Sequence, residues 1–275
     1  MRNRMGVGKI RGSARMCEIE ADPMNDGYQS TADYLARALN EIAGFDERAG
    51  PRVLDFGCGS GQLIGAFVQR GIDAHGCDVP SATPRNMHCD TARAREIALS
   101  PYRIPFDDQS FDAIVSTSVL EHAQNTEECF REMHRVLKPG GYAMHLLPGK
   151  WYLPSEPHIY VPLANFFWPH VPRWWLGLWA LLGVRNEYQQ SLDWRTVRDL
   201  NYTYCQTGLC YLPSSRYHAL SKKIFGDYSW RMDFYLAHSP GGVAAFFRRL
   251  PLKRISGWLA RNLRMGFLVL RKQSG

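Results

Sequence analysis

The sequence has no apolar run long enough to cross a bilayer. Its best stretch, residues 159–184, is interrupted by Pro162, Pro169, Pro172 and Arg173, and its longest clean run falls well short of the roughly 20 residues a spanning helix needs. The basic start, Met1 to Met16, lacks the apolar core of a secretory signal. A soluble, cytoplasmic protein is therefore expected. Paired cysteines are missing too. The seven cysteines (Cys17, Cys58, Cys77, Cys89, Cys129, Cys205 and Cys210) include no CxxC pair and no Cys/His set at zinc spacing, so reduced thiols are expected and no metal site is. No repeat period or low-complexity bias is present, which excludes solenoid, collagen-like and disordered classes.

Acidic residues are absent from both ends. Residues 1–17 carry five basic side chains and residues 234–275 carry eight, with no Asp or Glu in either stretch. Those 13 of the 33 basic residues leave 20 against 26 acidic ones in between, so the body of the chain is acidic although the net charge is +7. A nucleic-acid enzyme more often spreads its positive field across the cleft face. Nucleic acid is accordingly not the expected partner.

What is present is a chain of 275 residues, 45% hydrophobic and 12% aromatic, enough for one large core with a substantial cap. Residues 1–25 are rich in Gly and Arg without periodicity and read as a flexible basic tail. Tyr28, Ala32, Leu35, Leu39 and Ile42 then recur near a 3.6 period and predict a helix ending at Gly44. Short apolar runs predict strands over 52–56, 73–77, 111–117 and 142–147. Helical patterns fall between them, over 62–70 and 126–137. That alternation implies βαβ units around a parallel sheet, in a core spanning 26–148. From 149 to 212 the texture becomes rich in Pro and Trp and reads as an inserted cap. Residues 213–275 resume the alternation, with a helix over 214–225, a strand over 229–236, a basic amphipathic helix over 242–262 and a last strand over 265–271. An antiparallel hairpin is thus expected to finish the sheet.

The densest motif is VLDFGCGSG, Val53 to Gly61. An apolar strand runs into Asp55, and Gly57, Gly59 and Gly61 follow at every second position before a helix. Glycine tolerates positive φ and lets a ligand approach the backbone closely. A helix N-terminus beyond such a loop suits an anionic group, while a carboxylate at the strand tip suits a cationic amine. The dinucleotide fingerprint G-x-G-x-x-G would place its third glycine at position 62, which is Gln. Asp78 ends the following strand and can accept hydrogen bonds from both hydroxyls of a ribose. Together the two motifs point to a nucleoside ligand other than a dinucleotide.

VLDFGCGSG, then GCD, then IPFDDQSFDAIVSTSVLEHAQN, then FREMHRVLKPGGYAMHLLP resembles the core of class I methyltransferases in the type 11 subgroup, over about residues 50–148. The resemblance implies an α/β, doubly wound, seven-stranded and mostly parallel sheet of the Rossmann-like methyltransferase fold, with S-adenosyl-L-methionine across the strand tips. It implies Asp55, Gly57, Cys58, Gly59 and Gly61 near the methionine moiety, and Asp78 with Val79 at the ribose. It also implies that Ser116, Thr117 and Ser118 face the sulfonium, with Glu121 and His122 opening the next segment in either a packing or a contacting role. The family usually carries an acidic residue ahead of its "LPF" segment. Here Ser100 or Pro101 stands there, and Ser100 is the expected adenine contact.

Methyl transfer to a hydroxyl needs a base within hydrogen-bond reach. The candidates lie where the cap begins, at Glu156, His158 and Tyr160. His145, inside a strand, reads as a core residue. Aromatic and apolar side chains crowd 160–184, and basic residues interleave with apolar ones over 246–264, a pattern open to an anionic membrane surface or to packing on the core. The expected acceptor is a glycan or lipid-linked molecule, with peripheral contact on the inner membrane face. A hydrophobic small molecule such as a quinone or polyketide, or a scaffold that binds S-adenosylmethionine without catalysis, is the alternative. The fourth-strand tip, Ser116-Thr117-Ser118, lacks the N/D-P-P-Y/F signature of amino-directed enzymes.

Overall fold

A computed structural model describes residues 23–46, 50–81, 86–239 and 242–274. The basic tail lies outside the described residues except at its end, where the first helix, α1 (Pro23–Ala43), already begins. The sheet contains β1 (Arg52–Phe56), β2 (Asp73–Asp78), β3 (Ala94–Glu96), β6 (Phe111–Thr117), β7 (Leu137–Pro148), β8 (Gly226–Trp230) and β9 (Met265–Lys272). A two-stranded hairpin, β4 (Ala98–Leu99) with β5 (Tyr102–Arg103), stands apart from it.

The spatial order is β3-β2-β1-β6-β7-β9-β8. Pairing is parallel from β3 through β7, and β9 runs antiparallel to both β7 and β8. This is the doubly wound, mostly parallel sheet expected. β1 and β6 are almost wholly buried on both faces, which is why they read as continuous apolar runs without alternation.

Two apolar clusters sandwich the sheet. One gathers Leu54, Ile114 and Leu268 with α3 (Thr126–Val136) and α7 (Ser214–Ile224). The other gathers Val53, Val115 and Phe267 with α1 and α2 (Gln62–Gln69). In α3 the residues Cys129, Phe130, Met133 and Val136 fall on one buried stripe. Glu127 and Glu128 in its first turn, with Arg135 in its last, complement the helix dipole.

The cap contains α4 (Ala164–Phe167), α5 (Arg173–Leu181) and α6 (Trp194–Thr207), and carries its own cluster around Ile159, Val161, Leu176, Leu209 and Tyr211. Two indoles brace it: Trp168 Nε1 donates to the Cys205 carbonyl and Trp175 Nε1 to that of Pro162.

The C-terminal region departs from the sequence expectation twice. The strand expected over 229–236 is β8, ending at Trp230, followed by the helix α8 (Met232–His238). Met232, Phe234 and Leu236 alternate like strand residues because α8 is wedged between two cores. Phe234 packs on the sheet, while Met232 and Leu236 face the terminal helices. The long amphipathic helix is two pieces, α9 (Gly242–Arg249) and α10 (Lys253–Leu263). Pro251 lies between them; it has no N–H and its ring disfavours a helical conformation for the residue before it.

Candidate active site

The loop between β1 and α2 holds three glycines in the left-handed region, Gly57 at φ 79°, Gly59 at 55° and Gly61 at 80°. A Cβ on Gly57 would lie 2.4 Å from a Val119 methyl, and one on Gly61 2.5 Å from Cys89 Sγ. Over Gly59 nothing stands within 4 Å, so that face is open to a ligand.

Most of the amides in this loop are used inside the protein. Gly57 and Cys58 donate to the Cys77 carbonyl, and Gly61 to that of Cys58. Gly59 donates to Asp78 Oδ2 at 2.7 Å, while Val79 N–H meets Oδ1 at the same distance. One amide thus meets each oxygen of the Asp78 carboxylate, Gly59 from the loop and Val79 from the residue that follows Asp78. α2 starts at Gly61 without a side-chain cap, so its first-turn amides have no side-chain acceptor. Cys58 is buried, its side chain packed against the bare face of Gly76.

Asp55 is buried beneath the loop, and burial, followed by the neighbouring Asp78 charge, pushes its carboxyl up to about 7. Asp78 and Val79 line a cavity of about 410 Å³. Ile97, Leu99 and Tyr102 supply its apolar walls, and Ser118, Val119 and His122 its far side.

Three expected residues are elsewhere. Ser100 sits exposed in the β4–β5 turn and does not line this cavity. Leu99, just before it, and Tyr102, two positions after it, do. Ser116 is buried and points into the core, with Oγ 2.8 Å from His145 Nδ1 on the paired strand β7. Burial drives His145 down to about 3, so it is neutral. Thr117 does not line the cavity either; Ser118, at φ 53°, is the residue of that tip that does.

A second cavity of about 480 Å³ lies within the cap, lined by His158, Tyr160, Asn186, Gln189, Asn201 and Tyr204 among others. The wall between the two cavities contains a chain of hydrogen bonds. Glu156 is buried, and its carboxylate accepts from the His158 and Ile159 amides, from His158 Nδ1 at 2.7 Å and from the Tyr211 hydroxyl at 2.7 Å. Burial alone would raise Glu156, but His158 and these donors outweigh it and hold it below the usual carboxylate range. His158 Nε2 lies 3.2 Å from His122 Nε2, and His122 Nδ1 lies 2.7 Å from the Gly208 carbonyl.

The proton positions follow from the partners. A carbonyl and a carboxylate only accept, so each ring carries hydrogen on Nδ1. The two Nε2 atoms then face each other as lone pairs unless one proton lies between them. For His158, burial is outweighed by the Glu156 hydrogen bond and charge, which raise it. For His122, burial wins and lowers it. His158 is therefore the more basic of the two rings. Glu121 completes the wall: neither carboxylate oxygen has a close hydrogen-bond partner, and burial outweighs the nearby Glu121 amide, His158 and Ser118 hydroxyl and pushes it up to about 7. Tyr160, at φ 59° and half exposed, stands on the rim of the cap cavity.

Residues 54–145 match the profile of a methyltransferase domain of type 11. Over those residues, a third of its length, the chain carries a methyltransferase domain. Among curated proteins, a probable tRNA methyltransferase 9B of Mus musculus is 32% identical over 139 residues, which cover 46% of this chain and 30% of the relative. An uncharacterized methyltransferase of Mycobacterium sp. (strain KMS) is 37% identical over 123 residues, 42% of this chain and 48% of the relative. The chain thus spans between 30% and 48% of the length of these curated relatives. The plantazolicin methyltransferase BpumL, solved with a monoazolic desmethylPZN analogue and SAH, shares the fold at a TM-score of 0.52 and 12% identity, over 91% of this chain and 86% of that one.

This domain type takes S-adenosylmethionine as its methyl donor, and the residues present fit it. A carboxylate held by two amides suits a ribose, the walls at Ile97, Leu99 and Tyr102 suit a flat base, and the bare face of Gly59 admits a close approach. His122 and Tyr211 are residues that sequence reasoning gave no definite part. Their partners are 36 and 55 positions away, and the LEH and LCY runs that contain them look like ordinary core sequence.

Proposed function

We propose that this protein transfers the methyl group of S-adenosylmethionine to a hydroxyl of a glycan or lipid-linked acceptor that enters beneath the aromatic cap. The observation that carries this reading is the Glu156–His158–His122 chain, which links the wall of the nucleoside cavity to that of the cap cavity. When bound, the cofactor supplies an electrophilic methyl group. Asp78 holds the ribose, Asp55 the amine, and the uncapped first turn of α2 the carboxylate end.

The acceptor hydroxyl is brought to the His122–His158 junction, where one ring becomes its hydrogen-bond partner in place of the other. Such a base contributes roughly 10²–10⁴-fold. Amide side chains at Asn186, Gln189 and Asn201, interleaved with Tyr160, Tyr188 and Tyr204, suit a sugar, whose hydroxyls need hydrogen bonds and whose C–H faces pack on aromatic rings.

A lipid-borne acceptor is favoured by the outer face of α9 and α10, where Phe246, Leu252, Ile255 and Trp258 are exposed beside Arg248, Lys253 and Arg254. No helix among the described residues is long and apolar enough to cross a membrane, so contact would be peripheral. Flotation with anionic vesicles at low salt is the expected outcome. Failure to float removes the membrane part of the reading.

Labelled S-adenosylmethionine should deposit methyl groups in a glycan or glycolipid fraction of cell extract. His158→Ala should then lower turnover at least tenfold with cofactor affinity unchanged. Label appearing only in tRNA or only in quinones would replace the acceptor assigned here. Cofactor binding without label in any fraction would favour a non-catalytic scaffold.

A further inference from the structure

We propose that Glu121, His122 and His158 form a binding site for one divalent metal ion of the zinc class, with its fourth position open to the acceptor. Their ligand atoms all lie within 4.8 Å of one another. The two imidazole Nε2 atoms face each other at 3.2 Å. Two nitrogens bound to one tetrahedral ion at about 2.0–2.1 Å stand about 3.3–3.4 Å apart, so the rings already span one edge of such a polyhedron.

Each ring is also held from behind as a metal ligand is. His158 Nδ1 donates to the Glu156 carboxylate and His122 Nδ1 to the Gly208 carbonyl, at 2.7 Å in both cases. Partners of this kind fix the tautomer and leave Nε2 as the free lone pair, which is the state a metal needs. The carboxylate–histidine arrangement at Glu156 is further anchored by Tyr211 and two amides, so the His158 ring has little freedom to turn away.

The independent observation is Glu121. Its side chain is 1% exposed, and neither oxygen is within normal hydrogen-bond geometry of a donor, although the Ser118 hydroxyl and the Glu121 amide lie nearby. A buried carboxylate without a close donor is costly, and a cation offsets that cost. Its backbone carbonyl is tied to the Cys210 amide, which fixes the side chain's origin beside the two rings. A change of rotamer that moves the carboxylate about 1–1.5 Å closer would complete a three-ligand, His₂Glu set.

Two nitrogens and a carboxylate suit zinc, manganese, iron or cobalt better than calcium or magnesium. Three protein ligands with an open position mark a catalytic rather than a structural site. His122 lines the nucleoside cavity and His158 the cap cavity, so an ion between them would coordinate a hydroxyl entering from the cap and lower its pKa. The proton leaves to solvent, the oxygen takes the methyl group from the sulfonium, and the two rings act as ligands rather than as the base. The ion would replace the proton that the rings otherwise share. This role in the reaction rests on the methyltransferase reading; the binding of metal does not.

The test uses the full chain, stripped with chelator, dialysed against zinc, and analysed for bound metal by mass spectrometry; cobalt(II) titration supplies an optical readout. One equivalent of zinc per chain is expected, with a tetrahedral cobalt spectrum. Glu121→Gln, which keeps shape and removes the negative charge, should weaken zinc at least tenfold, and His122→Ala and His158→Ala should abolish the cobalt spectrum. Less than a tenth of an equivalent of zinc, or binding unchanged in Glu121→Gln and His158→Ala variants that melt as the parent does, would overturn the proposal. Calorimetry with S-adenosylmethionine on the same stripped protein separates the two readings. Cofactor binding without metal sinks this site alone, and metal binding without cofactor sinks the methyltransferase reading alone.

Discussion

Burial raises the Asp55 carboxyl to about 7, with the charge of Asp78 adding to the effect. In the unfolded chain the same group titrates near 4, so between these values the folded state keeps a proton that the unfolded state has lost. Its contribution to stability is complete below pH 4 and disappears as pH rises through 7. A cationic amine beside Asp55 reverses the preference, because it binds the ionised form. Affinity for S-adenosylmethionine should therefore rise about tenfold between pH 6 and pH 8, with uptake of the cofactor releasing a proton. Calorimetry in buffers of different ionisation enthalpy checks this, and in Asp55→Asn the dependence should flatten.

Asp55, Gly57, Gly59 and Asp78 were legible in the sequence because their chemistry is local: a strand, a turn that needs positive φ, a second strand. Ser116 was not. Which face a strand-tip side chain takes depends on register with a neighbour, and His145, opposite it on β7, draws the Ser116 hydroxyl inward. Glu156 and His158 were legible as a pair two residues apart, whereas the His122 ring that completes the chain comes from another segment.

Among the elements, α1 is joined to α2 by Arg70. Its guanidinium bonds the carbonyls of Ala66 and Gln29, the Gln29 side chain, and the Asp33 carboxylate. Asp33 is well exposed, so that ion pair is screened and most of the effect lies in the other bonds. Arg70→Ala should cost about 1–2 kcal/mol, seen as a lower melting temperature. Faster amide exchange should be concentrated in α1 rather than in the sheet.

Helix and strand periods gave the parallel core well. They failed at α8, where burial on two sides imitated strand alternation, and at α9–α10, where Pro251 divides one amphipathic stripe without changing its polarity. The hairpin β4–β5 was not expected, since two-residue strands leave no periodic trace.

At the scale of the molecule, the sheet order brings the tips of β1, β2 and β6 to one edge, and His122 of the cavity there meets His158 of the cap. The cap's separate apolar cluster explains the Trp-rich texture of its sequence, although nothing in that texture disclosed which polar groups would meet beneath it. The loop, the two carboxylates and the open face of Gly59 fit an adenosyl ligand. Isothermal calorimetry of the parent chain and of Asp78→Ala with S-adenosylmethionine tests that fit most directly. One site per chain with micromolar affinity, weakened tenfold or more by Asp78→Ala at an unchanged melting temperature, is the predicted result. Absence of binding in the parent, or equal affinity in the variant, would contradict it.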